Sequence, residues 1–93
     1  MTEKGEKKIC RRLTELSVGD LGKIDSLECK GALRRRLLDM GFVRGATVEK
    51  LGESPCGDPS AYLVRGAVVA VRHRDGEKIL LEKMMGEGKL LWD

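Results

Sequence analysis

The chain has 93 residues, a formal net charge of +3, and a composition of 41% hydrophobic and 35% charged residues. This length is that of one domain, and the composition is ordinary for a globular protein with a mainly aliphatic core. The mild positive charge is too small to indicate a nucleic-acid partner, and no apolar run is long enough to span a membrane. The N-terminal residues lack the apolar segment of a secretory signal. We therefore expect a cytoplasmic protein that binds no nucleic acid.

The N-terminal segment, residues 1–12, is dominated by Glu, Lys, Arg and Gly. Such a composition is typical of a mobile charged arm, and a single domain is expected to follow over residues 13–83. Ser17–Asp20 has the composition of a turn, and the first strand is predicted from Leu21 to Glu28. Apolar residues do not alternate strictly along this strand, so we expect a bulge or bend near Gly22.

A short helix is predicted around Leu33, Leu37 and Met40. Their spacing of i, i+4, i+7 places them on one stripe of a helix, which then has one face to bury. Gly41 follows directly, and glycine adopts the left-handed conformation at a helix end without steric cost. The helix is therefore expected to end at Met40.

Short strands are predicted after the helix. Val43–Ala46 has the pattern of a tight turn, with Gly45 at the position that needs a positive φ. A second strand is expected from Thr47 to Leu51. Ser60–Arg65 and Ala67–Arg72 flank a glycine and are rich in apolar residues, which predicts a hairpin.

The last part of the domain completes the predicted sheet. The continuous apolar run Val68–Val71 predicts a strand buried on both faces. His73–Lys78 is a polar connector of about one helical turn, and the last strand is expected over Ile79–Lys83. Five short strands with one inserted helix predict a mainly β protein, either a small barrel or a rolled sheet.

The C-terminal residues Met84–Asp93 are too apolar for an ordinary disordered tail. We expect this tail to pack across an open end of the barrel, and the alternative is a segment that docks on a partner. Strand edges left open by the short strands would allow pairing between chains, so a weak homo-oligomer is a second expectation.

Two motifs resemble the FeoA family, small cytosolic partners of the bacterial ferrous iron transporter FeoB. The first is Arg-Arg-Leu-Leu-Asp-Met-Gly-Phe-Val-Arg-Gly-Ala, over Arg35–Ala46; the family usually has Pro in place of Arg44. The second is Pro-Cys-Gly-Asp-Pro, over Pro55–Pro59, within a loop expected over Gly52–Pro59; an aliphatic residue is commoner than Cys56. The resemblance implies an SH3-like barrel that binds and modulates FeoB, a membrane GTPase.

The residues expected to bind this partner lie at the helix edge and in the neighbouring loop. Leu37 and Leu38 are adjacent and cannot both point into the same barrel, so one of them should be partly exposed. The chain has no phosphate-binding loop of the Gly-x-x-x-x-Gly-Lys type and no catalytic constellation, so we expect no enzymatic activity. The predicted partner-binding residues are Leu37, Leu38, Asp39, Met40, Gly41, Pro55, Cys56, Gly57, Asp58 and Pro59.

A different function, a metal-responsive regulatory module for iron or zinc, is the alternative. The three cysteines, Cys10, Cys29 and Cys56, are widely spaced and fit reduced thiols of a cytosolic protein. Cys56 lies in a loop, where a thiolate is accessible to a transition metal, and His73 is the only histidine. A metal site needs three or four ligands, and the sequence offers no local set, so such a site would be shared between chains.

Charged residues around the helix have ordinary interpretations as well as functional ones. Asp39 faces the negative end of the helix dipole, so either an ion pair with Arg35 or Arg44 or a cap on the Gly41 turn is expected. The run Arg34–Arg36 is interpreted as a solvated basic face, with contact to phosphate or to an acidic partner surface as the alternative. The few aromatic residues provide no stacking platform for single-stranded nucleic acid.

Overall fold

The computed structural model describes residues 11–85, with the side chains of residues 11–82. The predicted arm before Arg11, Cys10, and the tail beyond Met85 lie outside the described residues. The elements in chain order are β1 (Arg11–Arg12), a short 3-10 turn (Leu13–Glu15), β2 (Leu21–Leu27), α1 (Gly31–Asp39), β3 (Thr47–Glu53), β4 (Ser60–Val64), β5 (Ala67–Val71), α2 (His73–Gly76) and β6 (Ile79–Met85).

The strands form one antiparallel sheet in the order β1-β6-β2-β3-β4-β5. The last strand therefore lies between the first two, with Arg11 opposite Leu81 and Leu21 opposite Met85. The sequence predicts five strands, and the sixth is β1, whose two arginines carry no apolar alternation. β6 also continues to Met85, so Met84 and Met85 belong to the sheet and not to a tail.

The irregularity of β2 lies further along the strand than predicted. The pairing of β2 with β6 shifts register between Lys23 and Ile24 and again between Ile24 and Ser26. Gly22 has a different role, because a Cβ atom there would lie 2.8 Å from the Leu81 side chain. This glycine allows the side chain of β6 to pack directly on the β2 backbone.

The end of α1 follows the prediction to within one residue. The helix ends at Asp39, Met40 forms its C-cap, and Gly41 adopts a left-handed φ of 111°. The Phe42 amide then donates to the Leu37 carbonyl at 3.1 Å, which closes the last turn as at many glycine-terminated helices. This return of the chain buries Phe42 completely.

Both tight turns predicted from glycine positions are confirmed. Gly45 has a φ of 89°, and the Ala46 amide donates to the Val43 carbonyl at 3.0 Å. In the β4–β5 hairpin, Arg65 and Gly66 have φ values of 50° and 82°, as a two-residue hairpin turn requires. β3 is longer than predicted and reaches Glu53, because the chain continues through a bulge in its pairing with β4.

The prediction that β5 is buried on both faces is wrong. Val68 is 66% exposed, and Ala67 and Ala70 are also exposed, whereas Val71 is buried. β5 lies at the edge of the sheet and pairs only with β4 among the described strands. An exposed apolar edge strand is open to pairing with a further strand.

The core is formed mainly by side chains of the strands, and α1 contributes Leu37 to it. Its buried residues come from every part of the domain: Leu13, Leu16, Ile24, Leu37, Phe42, Val48, Tyr62, Val64, Val71, Ile79 and Leu81. The first turn, α1 and β6 thus share one apolar cluster. Within residues 11–85, no helix has the length and apolar character needed to cross a membrane.

Candidate functional site

The predicted helix edge is partly exposed, as expected for two adjacent leucines. Leu37 is 1% exposed and belongs to the core, whereas Leu38 and Met40 are half-buried and Asp39 is exposed. Gly41 lies against the β4–β5 turn, with the Arg65 side chain 3.4 Å from the position of a Cβ atom. The end of α1 therefore presents two incompletely buried apolar side chains beside a carboxylate.

The expected ion pairs of Asp39 do not form. Within the described side chains, Asp39 is bonded to neither Arg35 nor Arg44. The ordered pair of this helix is instead Arg36 with Asp75, with a distance of 3.1 Å between Nη2 and Oδ2. Asp75 lies on α2, so the last turn of α1 is tied to a second element 39 residues further along the chain.

The predicted loop is exposed and also contacts α2. Its apex is closed by the Gly57 amide, which donates to the Ser54 carbonyl at 2.7 Å. The Asp58 carboxylate accepts a hydrogen bond of 2.8 Å from the amide of His73, the first residue of α2. This bond satisfies one of the free amides at the start of the helix. Pro55 and Cys56 remain exposed, and Pro59 is half-buried.

The helix edge and the loop are therefore connected through α2, which the sequence analysis treats only as a connector. Asp75 of α2 binds Arg36 of α1, and the amide of His73 binds Asp58 of the loop. A groove of about 370 Å³, here called the α1–α2 groove, lies between α1, α2 and the end of β5. Its lining residues are Arg36, Leu37, Met40, Ala70, Val71, Arg72, Arg74 and Asp75.

Sequence reasoning missed the groove residues of β5 and α2. The sequence Arg-His-Arg-Asp over Arg72–Asp75 contains the relevant signal, two arginines directly before an acidic residue. The pairing of Asp75 with Arg36 depends on the tertiary fold, because the two residues lie 39 positions apart.

The candidate metal ligands do not form a ligand cluster among the described residues. Cys56 is exposed, and the His73 Nε2 atom lies 3.3 Å from the Glu77 carboxylate. Within residues 11–82, no group of three or more His, Cys, Asp or Glu side chains is arranged to hold a metal ion. Cys29 is half-buried and packs against the core.

A buried lysine lies on the core face of the sheet, beside Val48 and Tyr62. Lys50 is only 6% exposed, and its Nζ donates to the Leu16 carbonyl at 3.3 Å and to the Glu53 carboxylate at 2.7 Å. Tyr62 lies opposite Lys50 on β4. Burial raises the pKa of the Tyr62 phenol, and the Lys50 charge and a hydrogen bond to Ser60 oppose this rise only in part. These groups join β3, β4 and the first turn and have a structural role.

With six antiparallel strands in one sheet and one main helix, the domain is of the SH3-like class. Residues 11–83 match the family model of the FeoA domain. The chain therefore belongs to the FeoA family, whose proteins are involved in ferrous iron transport. The mainly β fold predicted from the sequence is confirmed, with six strands in place of about five.

A relative and two solved structures place the chain within this family. The chain is 39% identical over 71 residues to an Fe(2+) transport protein A/Fe(2+) transporter FeoB fusion protein of Porphyromonas gingivalis. That match covers 76% of this chain but only 8% of the relative. The solution structure of a FeoA-like protein of Clostridium acetobutylicum is 31% identical, with a TM-score of 0.74 over 83% of this chain and 88% of that chain.

The second solved structure shows the fold alone. Stenotrophomonas maltophilia FeoA, crystallised in complex with zinc and described as a prokaryotic SH3 domain protein, is 23% identical to this chain. The TM-score is 0.74, and the match covers 84% of this chain and 99% of that chain. The zinc is a property of that protein.

Proposed function

We propose that this chain is a small cytoplasmic accessory protein of ferrous iron uptake that binds the membrane GTPase transporter FeoB and modulates it. The observation that carries the proposal is the 39% identity with a protein named as a fusion of FeoA and FeoB. A domain that is covalently joined to a transporter in one organism acts next to that transporter. This supports binding of the present domain to FeoB. The domain itself carries out no catalytic step.

The binding surface combines the helix edge with the loop. Leu38 and Met40 offer apolar area that the domain leaves partly exposed, next to the carboxylate of Asp39. The loop Pro55–Pro59 is held against α2 by the Asp58 hydrogen bond, so it is positioned before the partner arrives. Binding modulates the transporter if the domain has a higher affinity for one of its conformational states.

A titration of the chain against the cytosolic part of FeoB tests the proposal. Leu38→Glu places a charge on the proposed contact, and we expect it to weaken binding by about tenfold or more. Val18→Glu is the matched control, because Val18 is 56% exposed on a different turn. Unfolding curves establish that both variants fold. Absence of binding by the wild-type chain, with or without nucleotide, would contradict the proposal.

The alternative, a metal-responsive module with Cys56 and His73 as ligands, is tested in the same sample. These two residues need further ligands, for instance from a second copy of the chain. We expect less than one equivalent of iron or zinc in the purified, reduced protein. Stoichiometric metal that is lost in Cys56→Ser would favour the alternative.

A further inference from the structure

The α1–α2 groove has charged walls. Arg36, Arg72 and Arg74 line it together with one carboxylate, that of Asp75. Because three cations face one anion, the lining has a net charge of +2. Arg72 and Arg74 are exposed, and within residues 11–82 no carboxylate forms an ion pair with either of them. The groove therefore has cationic side chains that remain available to a ligand.

The pair between Arg36 and Asp75 gives the groove a defined shape. Its distance of 3.1 Å bridges α1 and α2, and the Asp75 side chain is only 18% exposed. A guanidinium has five N–H donors, so Arg36 keeps several of them free while it binds Asp75. Arg36 can thus hold the two helices in position and still donate to an incoming carboxylate.

The floor of the groove is apolar. Leu37 and Val71 close it from below, with exposures of 1% and 4%. Met40 is half-buried and Ala70 is exposed, so both offer apolar atoms to a ligand. Methionine is flexible enough to adapt to side chains of different shape. A ligand that fits this groove combines negative charge with one aliphatic side chain.

Nucleic acid fits these features less well. Among the described residues the aromatic side chains are Phe42 and Tyr62, which are 0% and 2% exposed. They cannot stack on bases, and the apolar floor has no counterpart on a phosphate backbone. An acidic protein segment satisfies both the walls and the floor.

We propose that the α1–α2 groove binds an acidic segment of a partner protein. Carboxylates of that segment pair with Arg72, Arg74 and the free N–H groups of Arg36, and an aliphatic side chain between them rests on Met40 and Ala70. The inference rests on the proposed function in so far as the partner is the transporter. It adds the chemical nature of the segment that the domain recognises.

A short synthetic peptide tests the groove directly. Its acidic residues flank one leucine, and its ends are blocked; the control peptide has amides in place of the carboxylates. We follow the backbone amide signals of the full chain by NMR during the titration. Saturable shifts are expected at residues 36–40 and 70–76 with the acidic peptide only. Raising the salt from about 0.05 M to about 0.5 M should weaken binding roughly tenfold, since exposed charges are screened.

Two variants with the same change of charge, Arg74→Glu and Lys23→Glu, locate the site. Arg74→Glu should abolish peptide binding. The milder Arg74→Gln should weaken it roughly three- to tenfold through the loss of one charge-assisted contact. Lys23→Glu changes an exposed residue of β2, which is separated from β5 by two strands, and should leave the affinity unchanged. Equal affinities for all variants would overturn the proposal.

Titration against FeoB separates this inference from the proposed function. If the wild-type chain and Arg74→Glu bind FeoB equally well, the groove is not the contact, while the proposed function stands. If the wild-type chain does not bind FeoB, the proposed function fails, and the peptide titration alone decides on the groove. Displacement of the peptide by an oligonucleotide at a lower concentration than by free acidic peptide would overturn the inference in favour of nucleic acid.

Discussion

Strands β5 and β6 each contain an apolar run, Ala67–Val71 and Ile79–Leu81, but the two runs lie in different environments. The apolar residues Ile79 and Leu81 of β6 are fully buried, whereas Val68 of β5 is 66% exposed. β6 has a strand on each side, β1 and β2, and β5 has only β4. The position of a strand in the sheet therefore decides how far the strand is buried, and an apolar run alone does not predict this position.

Truncation of one side chain in each strand should give the largest difference. We expect Leu81→Ala to lower the free energy of unfolding by about 2–5 kcal/mol, because it opens a cavity against Gly22 and Leu16. Val68→Ala should change it by less than about 0.5 kcal/mol. Urea unfolding of both variants measures the difference. Similar losses in the two variants would mean that β5 is covered in solution.

A smaller effect is expected where α1 meets the turn that leads into β5. Gly41→Ala should cost about 1–2 kcal/mol, because an alanine is strained at a φ of 111° and its Cβ atom would also contact the Arg65 side chain. Gly45→Ala is a control with a φ of 89° and open space around it, so it should cost less. Thermal unfolding compares the two variants, and a smaller loss at Gly41 would contradict the role of this contact.

Burial of Tyr62 on β4, next to the edge strand, should make the free energy of unfolding depend on pH. The pKa of Tyr62 is raised in the folded state, so the unfolded chain releases the phenolic proton first as the pH rises. The corresponding stability is present below about pH 10, the ordinary tyrosine pKa, and is lost as the pH rises through the folded pKa. Between about pH 8 and pH 11, the free energy of unfolding should fall less in the Tyr62→Phe variant than in the wild-type chain.

Tyr62 is the only tyrosine of the chain, so absorbance of the phenolate follows its titration directly. The midpoint should be higher in the folded protein than in urea. Equal midpoints would show that the phenol is in contact with water.

The smallest effect on stability is expected from a charge placed on the edge itself. Val68→Lys should change the free energy of unfolding by less than about 0.5 kcal/mol, because the side chain is already exposed. If copies of the chain pair through β5, the same substitution should shift a weak dimer towards monomer, since a lysine on an edge strand opposes pairing. Sedimentation of both proteins at several concentrations measures this shift.

Local features of the fold were predictable from the sequence. The end of α1 at Gly41 and the turn at Gly45 follow from backbone conformations that glycine adopts most easily, and these depend on a few neighbouring residues. The exposure of Leu38 beside the buried Leu37 follows from helix periodicity alone. The edge position of β5 and the pairing of Arg11 with Leu81 depend on strand order, which no local pattern encodes.

The candidate site was predictable only in the parts that depend on local sequence. The helix edge and the loop appear as motifs in the sequence, but their common contact with α2 depends on tertiary structure that brings distant residues together. The pair between Arg36 and Asp75 joins residues 39 positions apart. The roles of Asp39 and Asp58 in partner binding, and of Cys56 and His73 in metal binding, stay predictions.

The insertion of β6 between β1 and β2 has a consequence for how the domain is made on the ribosome. Strand β6, which joins β1 to β2, is the last part of the domain to be synthesised, and its partners Arg11 and Leu21 are among the first residues of the domain. Until Ile79 and Leu81 leave the exit tunnel, β2 has an open edge and the core lacks two of its fully buried side chains. The nascent domain therefore completes its sheet only after nearly all of its residues have been translated.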